Sequence, residues 1–407
     1  MATLRQFSVV DKEIPRLIGR LMNFLSRAAV DKALANYEKA LQSSGPILSV
    51  YHVPIRHPWW KSLKKYLELE KKGLSAWKYM NDPLDRCLAG DAYKIGVLQA
   101  DMPTSVKEKF KKDLVDDNNA WAYLFEIQMA SHYYQHGYDI SWYEDDGNKR
   151  PEFKVAADGF EFDVECKRFS VDASRKIRRV DFYRLAEIII PEISKKSLYG
   201  KIDIELNDRL HSSETYIRNI CVQIQKEIQV HGIRTVIDFP FGKVTLALSP
   251  KTDHQVEWNT LYSAMEKRKH HSAHGAIFGK GSDRIANDPI EMIVVPQKSE
   301  KVLQGIESKI KDAAKQISGE RPGLICIYLE GISELSDLAT EGGLKVMSNL
   351  LLNRPEMSHI IGISYCSESR LERKGVVETF SNQGLLFRNQ YCKFKVPEAV
   401  RFLSAEE

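Results

Sequence analysis

Residues 152–168 read EFKVAADGFEFDVECKR, and the organisation of the whole chain follows from them. Asp158-Gly159, between two apolar-rich runs, is a strong signal for a two-residue β-hairpin turn. In the second run, apolar and charged residues alternate. Because the side chains of a strand point alternately to its two faces, Glu165 and Lys167 share one face. The stretch therefore predicts a hairpin that presents a carboxylate and an ammonium group side by side.

Two interpretations of this hairpin are open. A half-buried antiparallel hairpin with a solvated charged face is a common pattern. The preceding segment favours a buried functional strand instead. Residues 120–136 predict a helix that is apolar on nearly all sides, capped by Asn118 or Asn119 and ended by Gly137. Glu126 lies in its middle, and a buried carboxylate needs a cation, a metal ion or a hydrogen-bond donor beside it.

The order of elements around the hairpin narrows the choice. The chain carries a helix with Glu126, a strand over residues 138–143, a strand opening with Pro151-Glu152, a turn, and a strand with Glu165-Cys166-Lys167. In this order it resembles the PD-(D/E)XK, or restriction-endonuclease-like, nuclease superfamily. The resemblance covers residues 118–169 closely and the rest of the chain loosely. It implies an α/β fold with a restriction-endonuclease-like mixed sheet flanked by helices.

The resemblance also implies a chemistry. Glu152, Glu165 and Lys167 would be the catalytic residues. The first two would bind Mg²⁺ or Mn²⁺, with Glu126 as a further ligand. Lys167 would position or deprotonate the attacking water or stabilise the transition state, and the sequence leaves these roles open. The family usually has Asp where this chain has Glu152, whose extra methylene shifts the carboxylate. Asp163, on the same face of the strand as Glu165, is a candidate for a substitute or supplementary ligand.

The composition is that of an ordinary globular protein of 407 residues with a net charge of +4. This charge permits local nucleic-acid contacts but does not by itself predict them. The six Cys residues are scattered and form no CxxC pair, which argues against a zinc ribbon or a disulfide framework. No signal-peptide core and no apolar run of membrane-spanning length occurs, so we expect a cytoplasmic protein without a membrane partner.

The chain divides into two predicted regions. Residues 1–112 read as a helical N-terminal region, and residues 113–407 as the nuclease-like domain. After the Glu165 strand, the helix and strand that complete such a core come only with an amphipathic helix over 302–317 and a buried strand over 324–329. Residues 170–298 are therefore a large predicted insertion. The remaining predictions are a helix over 344–352, a strand over 360–365 and a weakly structured tail.

Residues outside the hairpin are candidates for nucleic-acid contacts, namely Arg168, Arg175, Arg178, Arg179 and Gln316. The basic segment from Arg175 to Arg184 leaves the predicted active strand and is placed to contact phosphates, but a surface helix with a basic face explains it equally well. Lys309 and Gln316 fall on one face of the predicted helix, where related nucleases often carry Lys or Gln, and ordinary surface positions are the alternative. The His-rich residues 267–274 are typical of a solvated basic loop or a phosphate-contacting one, more than of a metal site.

The sequence leaves three functions open. We expect a metal-dependent nuclease that hydrolyses phosphodiester bonds in DNA, with a role in restriction or anti-phage defence by fold-level analogy only. One alternative is a degenerate nuclease core that binds nucleic acid or a protein partner, which Glu152 favours. Another is an adaptor built on the helical N-terminus. A homodimer would allow paired cuts in a duplex, but the sequence shows no interface.

Overall fold

The computed structural model of the protein describes most of the chain, with gaps. The described residues are 11–75, 83–144, 150–157, 159–170, 172, 174–231, 234–268, 273–282, 284–298, 301–330, 335, 338, 343–367, 370–374, 377–381, 384–398 and 400.

Up to Gln135 the described secondary structure is helical, and strands and helices are mixed from Asp139 onward. The helices are α1 (Ile14–Leu25), α2 (Arg27–Ser43), α3 (Pro46–Tyr51), α4 (Trp60–Lys71), α5 (Pro83–Leu98), α6 (Thr104–Asp113), α7 (Ala120–Gln135), α8 (Arg179–Lys195), α9 (Glu214–His231), α10 (Trp258–Arg268), α11 (Val302–Ala314) and α12 (Leu344–Leu352). The strands are β1 (Asp139–Trp142), β2 (Phe153–Ala157), β3 (Phe160–Ser170), β4 (Leu198–Leu206), β5 (Arg234–Phe239), β6 (Gly242–Pro250), β7 (Gln255–Glu257), β8 (His274–Gly281), β9 (Ile285–Pro296), β10 (Gly323–Glu330), β11 (Ile360–Ser367), β12 (Arg370–Lys374), β13 (Val377–Ser381) and β14 (Gly384–Arg388). The chain is therefore a mixed α/β protein, which confirms the predicted class at that level. Within the described residues, no helix combines the length and apolar character needed to cross a lipid bilayer.

The chain forms two compact units. The first, called the core unit, comprises Met1–Lys39, Pro54–Val171 and Leu303–Glu407. The second, called the insertion unit, comprises Ala40–Val53 and Asp172–Val302. Its long segment lies close to the predicted insertion at 170–298. The sequence did not indicate that Ala40–Val53 belongs with it.

The core unit is built on one six-stranded sheet in the order β1-β2-β3-β10-β11-β14. β1, β2 and β3 are antiparallel neighbours, β10 and β11 continue parallel to β3, and β14 is antiparallel to β11. Helix α7 comes before β1 and packs against β3, and α11 comes before β10. The helix and strand that the sequence assigned to the completion of the core are both present.

The predicted β2–β3 hairpin is confirmed. Ala157 pairs with Phe160 across the turn, and Gly159 has a φ of 79°. That left-handed backbone is open to glycine at little cost, which is why this turn favours it. Asp158 itself lies outside the described residues.

Strand β3 is buried on both faces in its middle. Asp163 and Glu165 are only 1% and 0% exposed, while Phe162 and Val164 on the opposite face are also buried. The interpretation of a solvated charged face is therefore wrong. The physical reason is position: β3 pairs with β2 on one side and with β10 on the other, and interior strands of an α/β sheet are covered on both faces.

Helix α7 matches its prediction at one end and differs at the other. Gly137 has a φ of 83°, and the N–H of Tyr138 donates to the carbonyl of Tyr133 at 3.1 Å, as in a glycine-ended helix. Asn119 occupies the N-cap position, as predicted, but without the expected capping bond. The side chain of Asn119 donates to Asp113 at 2.9 Å and makes no capping bond.

Two predictions in the C-terminal third also need correction. The helix expected over 302–317 ends at Ala314, so Gln316 lies beyond its last turn and does not share a helical face with Lys309. The expected weakly structured tail includes β14, which pairs with β11. A short strand of this kind depends on a long-range partner and has little local signal.

The insertion unit has its own six-stranded sheet in the order β5-β6-β4-β9-β7, with β8 also paired to β9. Helices α8 and α9 pack together, and α8 contacts β4, β8 and β9. Their buried faces form one apolar core that includes Phe182, Ile189 and Ile220. Helix α10 packs on β7, β8 and β9 through a second, smaller cluster around Leu261 and Met265.

Candidate active site

Four predicted site residues of the core unit act on one another electrostatically. Glu126 lies in α7, Glu152 directly precedes β2, and Glu165 and Lys167 lie in β3. Glu126 is 7% exposed, so the predicted burial of this carboxylate is confirmed. Burial, followed by repulsion from Glu152, raises the pKa of both Glu126 and Glu165. Three carboxylates therefore share a poorly solvated region.

Hydrogen bonds of the sheet hold the backbone of Glu152. Its N–H donates to the carbonyl of Val164 at 3.0 Å, and its carbonyl accepts from the N–H of Tyr143 at 3.4 Å. The next residue, Phe153, is the register partner of Val164, so Glu152 lies where β2 begins to pair with β3 beside Glu165. The preceding Pro151 is buried.

Lys167 is the nearest cation to Glu165. Its ammonium group contacts Oε1 of Glu165, and neither oxygen of that carboxylate has a further hydrogen bond from the described residues. Burial alone would lower the pKa of Lys167, but Glu165, Glu152 and Glu126 raise it overall. Lys167 is therefore held as an ammonium ion. Of the roles left open by the sequence, this favours charge stabilisation over proton abstraction.

Sequence reasoning missed Lys109 of α6. Lys109 is among the groups that lower the pKa of Glu126 and of Glu165, against the larger effect of burial. Its Nζ also lies 5.7 Å from the ring centroid of Tyr123. Tyr123 is one turn before Glu126 on α7, and this spacing could have identified Tyr123 as a neighbour of the site. Nothing in the sequence around Lys109 points to the site.

A small cavity of about 60 Å³ opens beside these groups. Its lining comprises Val106, Lys109, Phe110, Tyr123, Glu126, Trp142, Tyr143, Glu144, Arg150, Pro151 and Glu152. Two of the three carboxylates, the missed lysine and four aromatic side chains thus border one space. Glu165 and Lys167 are not part of its lining.

Asp163, the supplementary ligand considered from the sequence, is occupied elsewhere. It accepts a hydrogen bond from the hydroxyl of Tyr143 at 2.7 Å and one from Nε of Arg321 at 3.3 Å. Nη2 of Arg321 in turn donates to the Tyr143 hydroxyl at 2.6 Å. This closed triangle neutralises Asp163, so it is a poor substitute for Glu152 as a metal ligand.

The carboxylates are suitable donors for a divalent cation, but they are not arranged as a ready metal site. Glu126, Glu152 and Glu165 supply hard oxygen donors of the kind that Mg²⁺ prefers, and a cation would relieve their mutual repulsion. Among the described residues, no three His, Cys, Asp or Glu side chains converge closely enough to form a ready metal site. Binding Mg²⁺ or Mn²⁺ would therefore require these side chains to close around the ion.

Comparison with protein-family models, with curated proteins and with solved structures finds no match to this chain. The residues and their geometry alone therefore carry the functional argument.

Arg168 follows Lys167 and has internal partners. Its Nε and Nη2 donate to Oε2 of Glu330 at 2.9 and 2.6 Å, and its Nη1 donates to the carbonyl of Asn118. The guanidinium thus ties β3 to the end of β10 and to the residues just before α7. Its predicted contact with nucleic acid stays a prediction.

Three further predicted nucleic-acid contacts lie in the insertion unit. Arg178 donates to Asp181 at 2.7 Å, and Arg179 donates to Asp172 at 2.8 Å. An Nη1 of Arg175 lies 3.2 Å from Nε2 of His274. These partners hold the basic segment in place, and its phosphate contacts stay a prediction. Of the His-rich residues, 269–272 lie outside the described residues.

Gln316 lies in the core unit, near the cavity. Its Nε2 donates to the carbonyl of Arg150 at 3.3 Å, and Arg150 lines the cavity. Lys309 is exposed on α11. Gln316 is therefore within reach of the candidate site, although it does not share a helical face with Lys309.

Proposed function

We propose that this protein is a metal-dependent nuclease that uses Mg²⁺ or Mn²⁺ to hydrolyse phosphodiester bonds in DNA. The observation that carries the proposal is the buried Glu165 in contact with Lys167, with Glu126 and Glu152 acting on both. Burying several carboxylates together costs free energy unless a cation binds there. Such an arrangement is more readily explained by a metal-dependent reaction than by stability.

The topology supports a restriction-endonuclease-like fold for the core unit. Helix α7 and strands β1, β2 and β3 follow one another directly, and α11 leads to β10 parallel to β3. This is the order that the resemblance implied. A large insertion after β3 is compatible with it, because an insertion on a sheet edge loop leaves the sheet intact.

Each residue has a role in the proposed reaction. Glu152 and Glu165 would hold the metal ion, with Glu126 as a further ligand, and the ion would activate water and offset charge on the phosphate. Lys167 would direct its positive charge at the attacked phosphate. Lys109 borders the same cavity as Glu126 and would orient the substrate phosphate.

A second candidate function is nucleic-acid or protein binding by a degenerate nuclease core. Two observations favour it: Glu152 stands where the family usually has Asp, and the described residues contain no ready metal site. Titration calorimetry with Mg²⁺ and Mn²⁺ separates the two functions. Metal binding that is lost in Glu165→Gln supports the nuclease, and no binding by the wild-type protein supports the degenerate core.

The direct test is cleavage of circular plasmid, linear duplex, single-stranded DNA and RNA with Mg²⁺ or Mn²⁺. We expect Lys167→Ala to lower the rate roughly 100-fold or more. Matched controls are Lys154→Ala and Glu161→Gln, which alter an ion pair of 3.0 Å on the same hairpin. Those variants should cleave like the wild type. No metal-dependent cleavage, or equal loss in the controls, would reject the proposal.

The number of protein copies bears on the product. A homodimer with two sites would cut both strands of a duplex, whereas a monomer would nick. Sedimentation of the protein with and without DNA, combined with the ratio of linear to nicked plasmid, tests this part of the proposal.

A further inference from the structure

Four aromatic side chains of the insertion unit form a group on three helices. They are Tyr51 of α3, Tyr183 of α8, and Trp258 and Tyr262 of α10. We call this group the ring surface. None of these residues belongs to the candidate active site.

The α10 half of the ring surface is a stacked pair. Trp258 and Tyr262 are one helical turn apart, with ring centroids separated by 6.1 Å and planes inclined by 27°. Trp258 is fixed, because its Nε1 donates to the carbonyl of Ser282 at 3.0 Å and its ring packs on the smaller apolar cluster. Tyr262 continues the stack outward and is 46% exposed.

The other half is a second stacked pair. The rings of Tyr51 and Tyr183 lie 5.9 Å apart with an angle of 14°, and the edge contact of Tyr51 with Phe278 at 5.4 Å anchors this pair on β8. Both pairs lie against neighbouring residues of β8: Tyr51 contacts Phe278, and a methyl group added at Gly279 would meet the ring of Trp258 at 3.4 Å. Burial raises the pKa of both Tyr51 and Tyr183. The hydroxyl of Tyr262 contributes to the rise of each pKa.

Cations accompany the rings. Arg179 lies one turn before Tyr183 on α8 and acts on its hydroxyl, so a guanidinium borders the ring surface. The segment from Arg175 to Arg184 contains five basic residues. Their carboxylate partners include Asp172, Asp181 and Asp208. Arg179 thus presents an ion-paired guanidinium beside Tyr183, of the kind that can also contact a phosphate.

We propose that the ring surface binds single-stranded nucleic acid by stacking its unpaired bases on Tyr262 and neighbouring rings. Every base has a π-face, but in a duplex the neighbouring base pairs cover it, so exposed rings select unpaired strands. Nearby arginines supply the attraction to the phosphate backbone. The inference deepens the proposed function by naming its substrate class, and it rests on that function only for the cleavage of the bound strand.

An ordinary packing role does not account for Tyr262. A ring that serves the apolar core gains free energy by leaving water. Tyr262 keeps nearly half of its surface in solvent while one neighbour in the stack, Trp258, is anchored beneath it. A repeated stack that ends in solvent can be extended by a base, whereas a core residue cannot.

The test is fluorescence anisotropy in EDTA, where metal-dependent cleavage cannot occur. The probes are labelled oligo-dT, oligo-U, an abasic strand of the same length and a matched duplex. The variants are Tyr262→Ala, Tyr262→Phe and the control Tyr391→Ala, which removes an aromatic ring that is 65% exposed in the core unit. The oligo-dT and oligo-U arms distinguish DNA from RNA.

We expect the wild type to bind oligo-dT or oligo-U more tightly than the abasic strand and the duplex. Tyr262→Ala should weaken binding of the single strand roughly 5- to 150-fold, the loss of one stacked base. Tyr262→Phe and Tyr391→Ala should bind like the wild type. Three results would overturn the proposal: equal affinity for the abasic strand, tighter binding of the duplex, or wild-type affinity in Tyr262→Ala.

This outcome is separable from that of the nuclease proposal. Tight single-strand binding in EDTA without cleavage in Mg²⁺ keeps the ring surface and rejects the nuclease. Metal-dependent cleavage together with wild-type single-strand affinity of Tyr262→Ala in EDTA keeps the nuclease and rejects the ring surface.

Discussion

Arg168 offers a sharp test of how the core unit is held together. Arg168→Ala removes a guanidinium that makes two hydrogen bonds to the carboxylate of Glu330 and one to the carbonyl of Asn118. Removing one partner of a buried ion pair costs about 3–5 kcal/mol. The side chains of Arg168 and Glu330 are 21% and 11% exposed, which favours the lower end. We therefore expect the free energy of unfolding to fall by about 3 kcal/mol.

Urea unfolding followed by tryptophan fluorescence measures this loss. Trp258 is the single tryptophan in the sequence of the insertion unit, so the signal reports mainly on the core unit. Glu330→Gln and the double variant complete a cycle. Because the two residues act as a pair, the double variant should lose about 1–2 kcal/mol less than the sum of the single losses.

The same variant decides between two roles for Arg168. If its guanidinium bound phosphate, as the sequence analysis predicted, Arg168→Ala would weaken DNA binding and lower the salt dependence by about one contact. Because the guanidinium is held by Glu330 and Asn118, we expect stability to fall while the salt dependence of binding stays unchanged. A protein of wild-type stability with weaker, less salt-sensitive DNA binding would refute it.

Further predictions concern the metal, pH and backbone. At 100 times its dissociation constant, Mg²⁺ should raise the free energy of unfolding by about 2.7 kcal/mol. Glu165→Gln should abolish this gain and Glu161→Gln retain it; equal gains would contradict the site. Although burial alone would raise the pKa of Asp172, a neighbouring histidine and arginine lower it overall. Its stabilising effect, present above the unfolded pKa of about 3.9, is lost as pH falls, so the stability difference from Asp172→Asn should narrow from about pH 5 to about pH 3. A constant difference in urea titrations would count against this ion pair. Gly137→Ala should cost about 1 kcal/mol because of the positive φ, whereas Gly90→Ala, with nothing near the added methyl group, should stabilise α5 by about 0.5–1 kcal/mol; thermal scans that rank the two the other way would contradict this.

The fold could be predicted where the signal is local. Asp158-Gly159 predicted the hairpin, Gly137 the end of α7, and the continuous apolar run of residues 324–329 the buried strand β10. Pairing between distant segments could not be predicted in this way. Strand β14 depends on β11, and Ala40–Val53 joins the insertion unit through contacts such as the two backbone N–H groups that donate to Glu187.

The candidate site shows the same division. Motif order identified Glu126, Glu152, Glu165 and Lys167, which the structure brings within electrostatic reach of one another. Lys109 was missed, because its place depends on how α6 packs. The internal partner of Arg168 was missed for a similar reason, since Glu330 lies 162 residues further along the chain.

The alternation of charged and apolar residues in β3 fits either a solvated charged face or a buried functional face. Only the burial of the side chains distinguishes the two. Charged residues at every second position usually mark a solvated face, but Glu165 is fully buried. A buried carboxylate kept for stability would be surrounded by donors. Glu165 instead contacts one lysine and is repelled by neighbouring carboxylates, so the site opposes the local stability rules, as functional sites do.

This conflict leads to a prediction about Glu126. Its pKa is raised because burial and nearby carboxylates disfavour the charged form, so the folded metal-free protein is destabilised when Glu126 ionises. Glu126→Gln keeps the shape and removes the charge. We expect it to raise the free energy of unfolding in EDTA, most strongly at high pH, and to reduce the gain on adding Mg²⁺. A carboxylate that serves only structure would behave in the opposite way: Glu126→Gln would lower stability in EDTA and leave the response to Mg²⁺ unchanged. Urea titrations at about pH 6 and about pH 8, with and without the metal, distinguish these two cases. In the first, the repulsion between carboxylates is relieved by a bound cation; in the second, Glu126 has only a structural role.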